Sequence, residues 1–83
     1  MTSEELLILA REVARLEGTR VRSLPALCAL AGLTRPYIGG VPVFRNHTEL
    51  IDALRQACLA LRPLETSNEV LAHVIAVAVT DSL

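Results

Sequence analysis

The sequence predicts an all-α fold, a small bundle of four to five helices, and three observations carry that prediction. Apolar residues recur at steps of three and four along 6–16 and 50–61, the spacing that puts them on one face of a helix. Polar signatures of the form Thr/Asn-x-x-Glu stand at Thr2–Glu5, Asn46–Glu49 and Thr66–Glu69, where two free donors of a helix start can be satisfied. Gly18, Gly32 and Pro63 then punctuate the runs as helix ends do. Eighty-three residues are enough for one domain, 1–83, and leave too little chain for a second core.

Thr2 to Glu5 opens the first helix. Leu6, Leu9, Val13 and Leu16 form its apolar face with Ala10 and Ala14 beside them, and Gly18 ends it. Thr19 to Arg22 is a polar connection. Ser23 is an N-cap, Pro25 sits in the first turn where a missing N–H costs nothing, and the second helix runs from Leu24 to Ala31 and stops at Gly32. Thr34 is expected to cap a short third helix beginning Arg35-Pro36-Tyr37-Ile38, cut off by Gly39-Gly40 and Pro42, with Val41 to Phe44 extended.

Asn46 to Glu49 opens the next helix, with Leu50, Ile51, Leu54, Ala57, Cys58 and Leu61 on one broad face until Pro63. Thr66 is expected to cap the last one. From Val70 to Val79 only His73 is polar, so the segment is the centre of the core or half of an interface. Its β-branched residues keep a strand open as the alternative, and the capping box favours helix.

The formal net charge is −1, which points neither to nucleic acid nor to an acidic ligand. All eight basic residues are arginines and lie between Arg11 and Arg62, where only Glu12, Glu17, Glu49 and Asp52 offset them; the other acids sit toward the ends. The acidic MTSEE start and the absence of any apolar run near the roughly 20 residues that span a bilayer predict a soluble, cytoplasmic chain without membrane contact. Cys28 and Cys58 read as small core residues, and no ligand spacing suggests a metal. With apolar residues at 52% of so short a chain, some are expected to need a second copy or a partner for cover.

The stretch from Ser23 to Phe44 gathers three of the four prolines and three of the four glycines. With Gly32 placed at a turn, Leu27, Ala31, Leu33, Ile38 and Val41 take apolar packing positions, and Cys28 falls where two helices must approach closely. This central segment is helix-turn-helix-like. Together with the amphipathic helix before it and the capped helix after it, it resembles the N-terminal DNA-binding domain of TetR-type repressors over about residues 5 to 60. The resemblance implies a transcription regulator whose third helix meets the major groove. It nominates Thr34, Arg35 and Tyr37 as DNA contacts, flanked by Arg20, Arg22 and Arg45 on phosphates.

Gly39, Gly40 and Pro42 fall inside the span that such a recognition helix occupies, and they support a second reading. In it the chain is a non-catalytic helical interaction module of the kind that serves as antitoxin, anti-activator or chaperone-like subunit. Val41, Val43 and Phe44 would form one adhesive edge, and Leu71, Val74, Ile75 and Ala78 a self-association stripe. No acid, base and nucleophile converge in a recognisable motif, so no catalytic residue and no cofactor is assigned. His47 reads as a solvated first-turn residue and His73 as a core or interface histidine.

Overall fold

A computed structural model of the chain describes residues 1–34, 37–38, 41–42 and 46–82. Among them are four helices, α1 (Ser3–Glu17), α2 (Leu24–Leu33), α3 (His47–Leu61) and α4 (Asn68–Ser82). Between α2 and α3 lies a short antiparallel ladder of β1 (Tyr37–Ile38) and β2 (Val41–Pro42). The fold is an all-α bundle in which each helix packs on two others, α1 on α2 and α4, and α3 on α2 and α4. Leu6, Leu27, Leu30, Leu54, Leu71 and Ile75 meet at its centre.

Helix α1 begins and ends as its sequence predicts. The Thr2 hydroxyl accepts from the Glu5 N–H at 3.1 Å, and the Glu5 carboxylate accepts from the Thr2 N–H at 3.0 Å. Gly18 closes the helix in the left-handed conformation, φ 66°, which a residue with a Cβ adopts only at a cost. Leu6, Ala10, Val13 and Ala14 are buried, while Leu16, at the edge of that face, is exposed.

Helix α2 starts at the Ser23 cap, with its hydroxyl oxygen accepting from Ala26 N–H at 3.1 Å. Two expectations change from here. The helix passes through Gly32 and ends at Leu33, because a single glycine weakens a helix without stopping it. Thr34, expected to cap a third helix, is instead the C-terminal cap of α2: its hydroxyl donates to the Ala31 carbonyl at 2.7 Å. Tyr37 and Ile38 are then a strand and not the start of a helix, with Tyr37 opposite Pro42 and Ile38 opposite Val41. Ile38 and Val41 are both β-branched, a side-chain type that suits a strand better than a helix. Cys28 also departs from its expected place, since it lies on the exposed side of α2.

The Asn46 side chain accepts from Glu49 N–H at 2.9 Å and starts α3, which buries Leu50, Leu54 and Cys58 and ends at Arg62 in the left-handed conformation, one residue before Pro63. Helix α4 settles the helix-or-strand alternative: Leu71, Ala72, Ile75 and Val79 are buried at helical spacing. Its start is not the expected Thr66 box. Ser67 has φ 63°, and Asn68, the first helical residue, turns its side chain back to Leu64, accepting from the N–H and donating to the carbonyl, both at 2.9 Å.

The stripe expected on α4 is corrected by this packing. Leu71 and Ile75 are fully buried against the other helices and cannot reach a second molecule, while Val74 packs against the core from its edge. Burial of the 71/75 face turns the opposite face outward, with Val70, His73 and Val77 exposed.

The connection between α1 and α2 and the one between α3 and α4 also join. Val21 and Leu64 form an antiparallel bridge, Arg22 and Ser23 N–H donate to Pro63 O at 2.6 and 3.1 Å, and Glu65 N–H donates to Arg20 O at 2.9 Å.

Candidate interaction surface

Helices α3 and α4 are consecutive and joined by a short connection, so they lie side by side and leave a seam about 22 Å long, the length of fifteen helical residues. Three hollows of 430, 370 and 320 Å³ follow one another along it. The first brings Leu59 and Arg62 of α3 and its cap beside Glu69 and Val70 of α4. In the middle one, Ile51 and Arg55 face Glu69, His73 and Ala76. The last joins Ile51 to Val77, Thr80 and Asp81.

The helical repeat explains why these side chains share a face. On α3, burial of Leu50, Leu54 and Cys58 puts Ile51, Arg55 and Leu59, at steps of four, one position round from the core and toward α4. On α4, burial of Leu71, Ile75 and Val79 puts Val70, His73 and Val77 outward at steps of three and four. Leu59, Val70 and Val77 are 39%, 40% and 47% exposed, large apolar residues on a surface that also carries arginine on one helix and carboxylates on the other. The exposed Ile8 of α1 differs, because Glu4, Arg11, Glu12 and Arg15 surround it on the helix and Arg15 is paired with Glu12.

No protein-family model matches this chain, and neither a curated protein nor a solved structure matches it. The seam is therefore read from its own chemistry. Among the described residues there is no cluster of three or more His, Cys, Asp or Glu able to hold a metal, and no helix long and apolar enough to cross a membrane.

Two of the six residues nominated for DNA, Arg22 and Thr34, are committed within the fold. Arg22 is a structural clasp: its Nε donates to Arg62 O at 2.7 Å and its Nη2 to Leu61 O at 2.6 Å, covering the last carbonyls of α3. Thr34 is buried, and its hydroxyl is committed to Ala31 O with Met1 O at 3.1 Å. Arg20 is exposed on the connection after α1. Arg35 and Arg45 lie outside the described residues, as do Val43 and Phe44 of the expected adhesive edge; Tyr37 and Val41 are described in their backbone alone, paired within the ladder. His73, expected in a core or interface, is exposed at the middle of the seam, and Ala78 is half-buried.

Sequence reasoning missed Leu59, Val70, Val77 and Arg55 as a group. Three of them stand in apolar runs that look like core, and only the tertiary pairing of α3 with α4 decides which side of each run is covered. Asn68 was missed too, because the Thr66–Glu69 pattern points to a cap that the Leu64 bonds replace.

Proposed function

We propose that this chain is a non-catalytic helical protein-interaction module, a small regulatory subunit of the antitoxin or anti-activator kind, that binds protein through the α3–α4 seam. The observation that carries this is the succession of exposed Leu59, Val70 and Val77 along one two-helix face, bordered by Arg55, Arg62, Glu69 and Asp81. Apolar centres with charged borders are how protein–protein contacts combine burial with orientation. The reading as a DNA-binding regulator has less support, because Arg22 and Thr34 serve the fold and Tyr37-Ile38 is extended.

The test is recovery of bound protein from the native host with tagged wild-type chain, Val77→Asp and Ile8→Asp. Both substitutions put a carboxylate on an exposed apolar position, so circular dichroism should show both folded. Wild type and Ile8→Asp should recover the same protein, untagged copies of the chain included, and Val77→Asp should not. Recovery of no protein, together with a shift of random duplex DNA that weakens steeply with salt, would replace this reading with the nucleic-acid one.

A further inference from the structure

Taking the seam as the interaction surface, we infer that its occupant is a second copy of this chain, set on a two-fold axis that runs along the seam so that α3 of each protomer lies over α4 of the other. A surface that covers itself in a closed dimer must do so about a two-fold axis lying in the plane of contact. For two antiparallel helices side by side there are two simple choices, across the seam or along it. The order of the charges distinguishes them.

An axis across the seam lays α4 on α4 in opposite directions. Glu69, at the start of the helix, then meets Asp81 near the end of its copy, twice by symmetry, and Arg55, near mid-seam, meets Arg55. Those are like charges on like charges.

An axis along the seam keeps each level of the seam and exchanges its sides. At the first hollow Arg62 comes over the copy's Glu69, and Leu59 over its Val70. At the middle Arg55 comes over the copy's His73, one helical turn from its Glu69, which lines the same hollow, and at the last Ile51 comes over Val77. Opposite charges then coincide at the first and middle levels and apolar pairs at the first and last, each twice. Like charges approach only toward the far end among the described residues, where Glu49 and Asp52 of α3 come near the level of Asp81, and neither Glu49 nor Asp52 lines any of the three hollows. The resulting contact is a four-helix layer whose facing helices run antiparallel, the usual arrangement for short bundles.

Sedimentation equilibrium on the full chain tests this with Arg55→Glu, Glu69→Arg and an equal mixture of the two. Wild type should reach about 18 kDa, twice the 9.0 kDa chain mass. Each variant alone should dimerise more weakly, by on the order of tenfold or more, because two symmetric exposed contacts turn from attraction to repulsion. The mixture should regain dimer. In a mixed pair the carboxylate introduced at position 55 of one chain meets the guanidinium introduced at position 69 of the other, while the native Arg55 and Glu69 meet across the second half. Wild-type dimerisation should also weaken as salt rises, which needs no variant and holds even where a substitution disturbs folding.

A wild-type chain that stays at 9.0 kDa to millimolar concentration overturns the inference. So does a dimer indifferent to both substitutions, a mixture that fails to recover, or a dimer strengthened by salt, as like-charge apposition would be. A monomeric wild type that still loses a different protein partner on Val77→Asp would remove the second copy and leave the interaction module standing.

Discussion

At the scale of single residues, the two cysteines show how much depends on which way a helix is turned. Both stand in apolar helical runs that look alike in sequence. Cys58 is buried with its Sγ 3.4 Å from Asn68 O, and burial pushes its thiol up to about 11, whereas Cys28 is exposed on α2. The thiolate is the reactive form, so a thiol that ionises far above neutral pH and is also shielded reacts slowly. In the native protein near pH 8, iodoacetamide should therefore label Cys28 alone, with Cys58 labelled only on unfolding in guanidinium; mass spectrometry of the digested product reads both. Equal labelling in the native state would mean that the α3–α4 packing does not shield Cys58. The same logic explains what was hidden at Asn68, whose two bonds to Leu64 are made by a residue type that sequence patterns assign to turns and caps.

At the scale of elements, the helix starts with a local cause were legible and those with a tertiary cause were not. The Thr2–Glu5 box, the Ser23 cap and Gly18 form as their sequence predicts, and Asn46 makes the side-chain half of its expected box, because each is a bond between residues three or four apart. Thr66–Glu69 has the same pattern and does not form it, because the connection after α3 is drawn into the bridge with Val21 and Thr66 N–H is taken by the Thr19 hydroxyl at 3.1 Å. Tyr37-Ile38 was misread for a related reason: what makes it a strand is its pairing with Val41-Pro42, which no cap or periodicity announces. The intact box makes α1 sensitive to acid. Hydrogen bonds from the Thr2 N–H first and the Thr2 hydroxyl second hold the Glu5 carboxyl below the usual carboxylate range. A carboxyl whose folded value lies below its unfolded one stabilises above the unfolded pKa, about 4.3, and loses that contribution as pH falls through the folded value. Melting followed from about pH 6 to about pH 3 should thus decline less steeply in Glu5→Gln, which keeps an acceptor without the titrating charge. Identical acid limbs in the two proteins would show that the box does not persist in solution.

At the scale of the whole molecule, the bundle is tied at one end by contacts between its two helix pairs, and Arg22 is the side chain that makes the tie. The 19–23 and 62–66 connections are forty residues apart in sequence, yet they share a bridge, four backbone or hydroxyl bonds and the two Arg22 guanidinium bonds to the last carbonyls of α3. No periodicity announces such a tie, since it exists only after α1 and α4 have packed; from the sequence alone Arg22 is a polar-loop arginine nominated for a phosphate. The two roles make opposite predictions. If Arg22 served a phosphate, Arg22→Ala would leave the fold as stable as before. As a clasp on two helix-terminal carbonyls, its loss should lower stability by about 1 kcal/mol, discounted from the usual value of a charged hydrogen bond because the group is exposed, or roughly 4–8 °C in melting temperature for a domain of this size. Arg22→Lys should recover only part of that, because an ammonium lacks the planar fork that reaches Leu61 O and Arg62 O together. Amide exchange at Leu64 and Glu65 should quicken in Arg22→Ala more than exchange within α1, since the clasp secures the connection and the capping box secures the helix. An Arg22→Ala protein with unchanged melting and unchanged exchange at 64 and 65 would return Arg22 to the surface and reopen the phosphate reading for the arginine-rich connection.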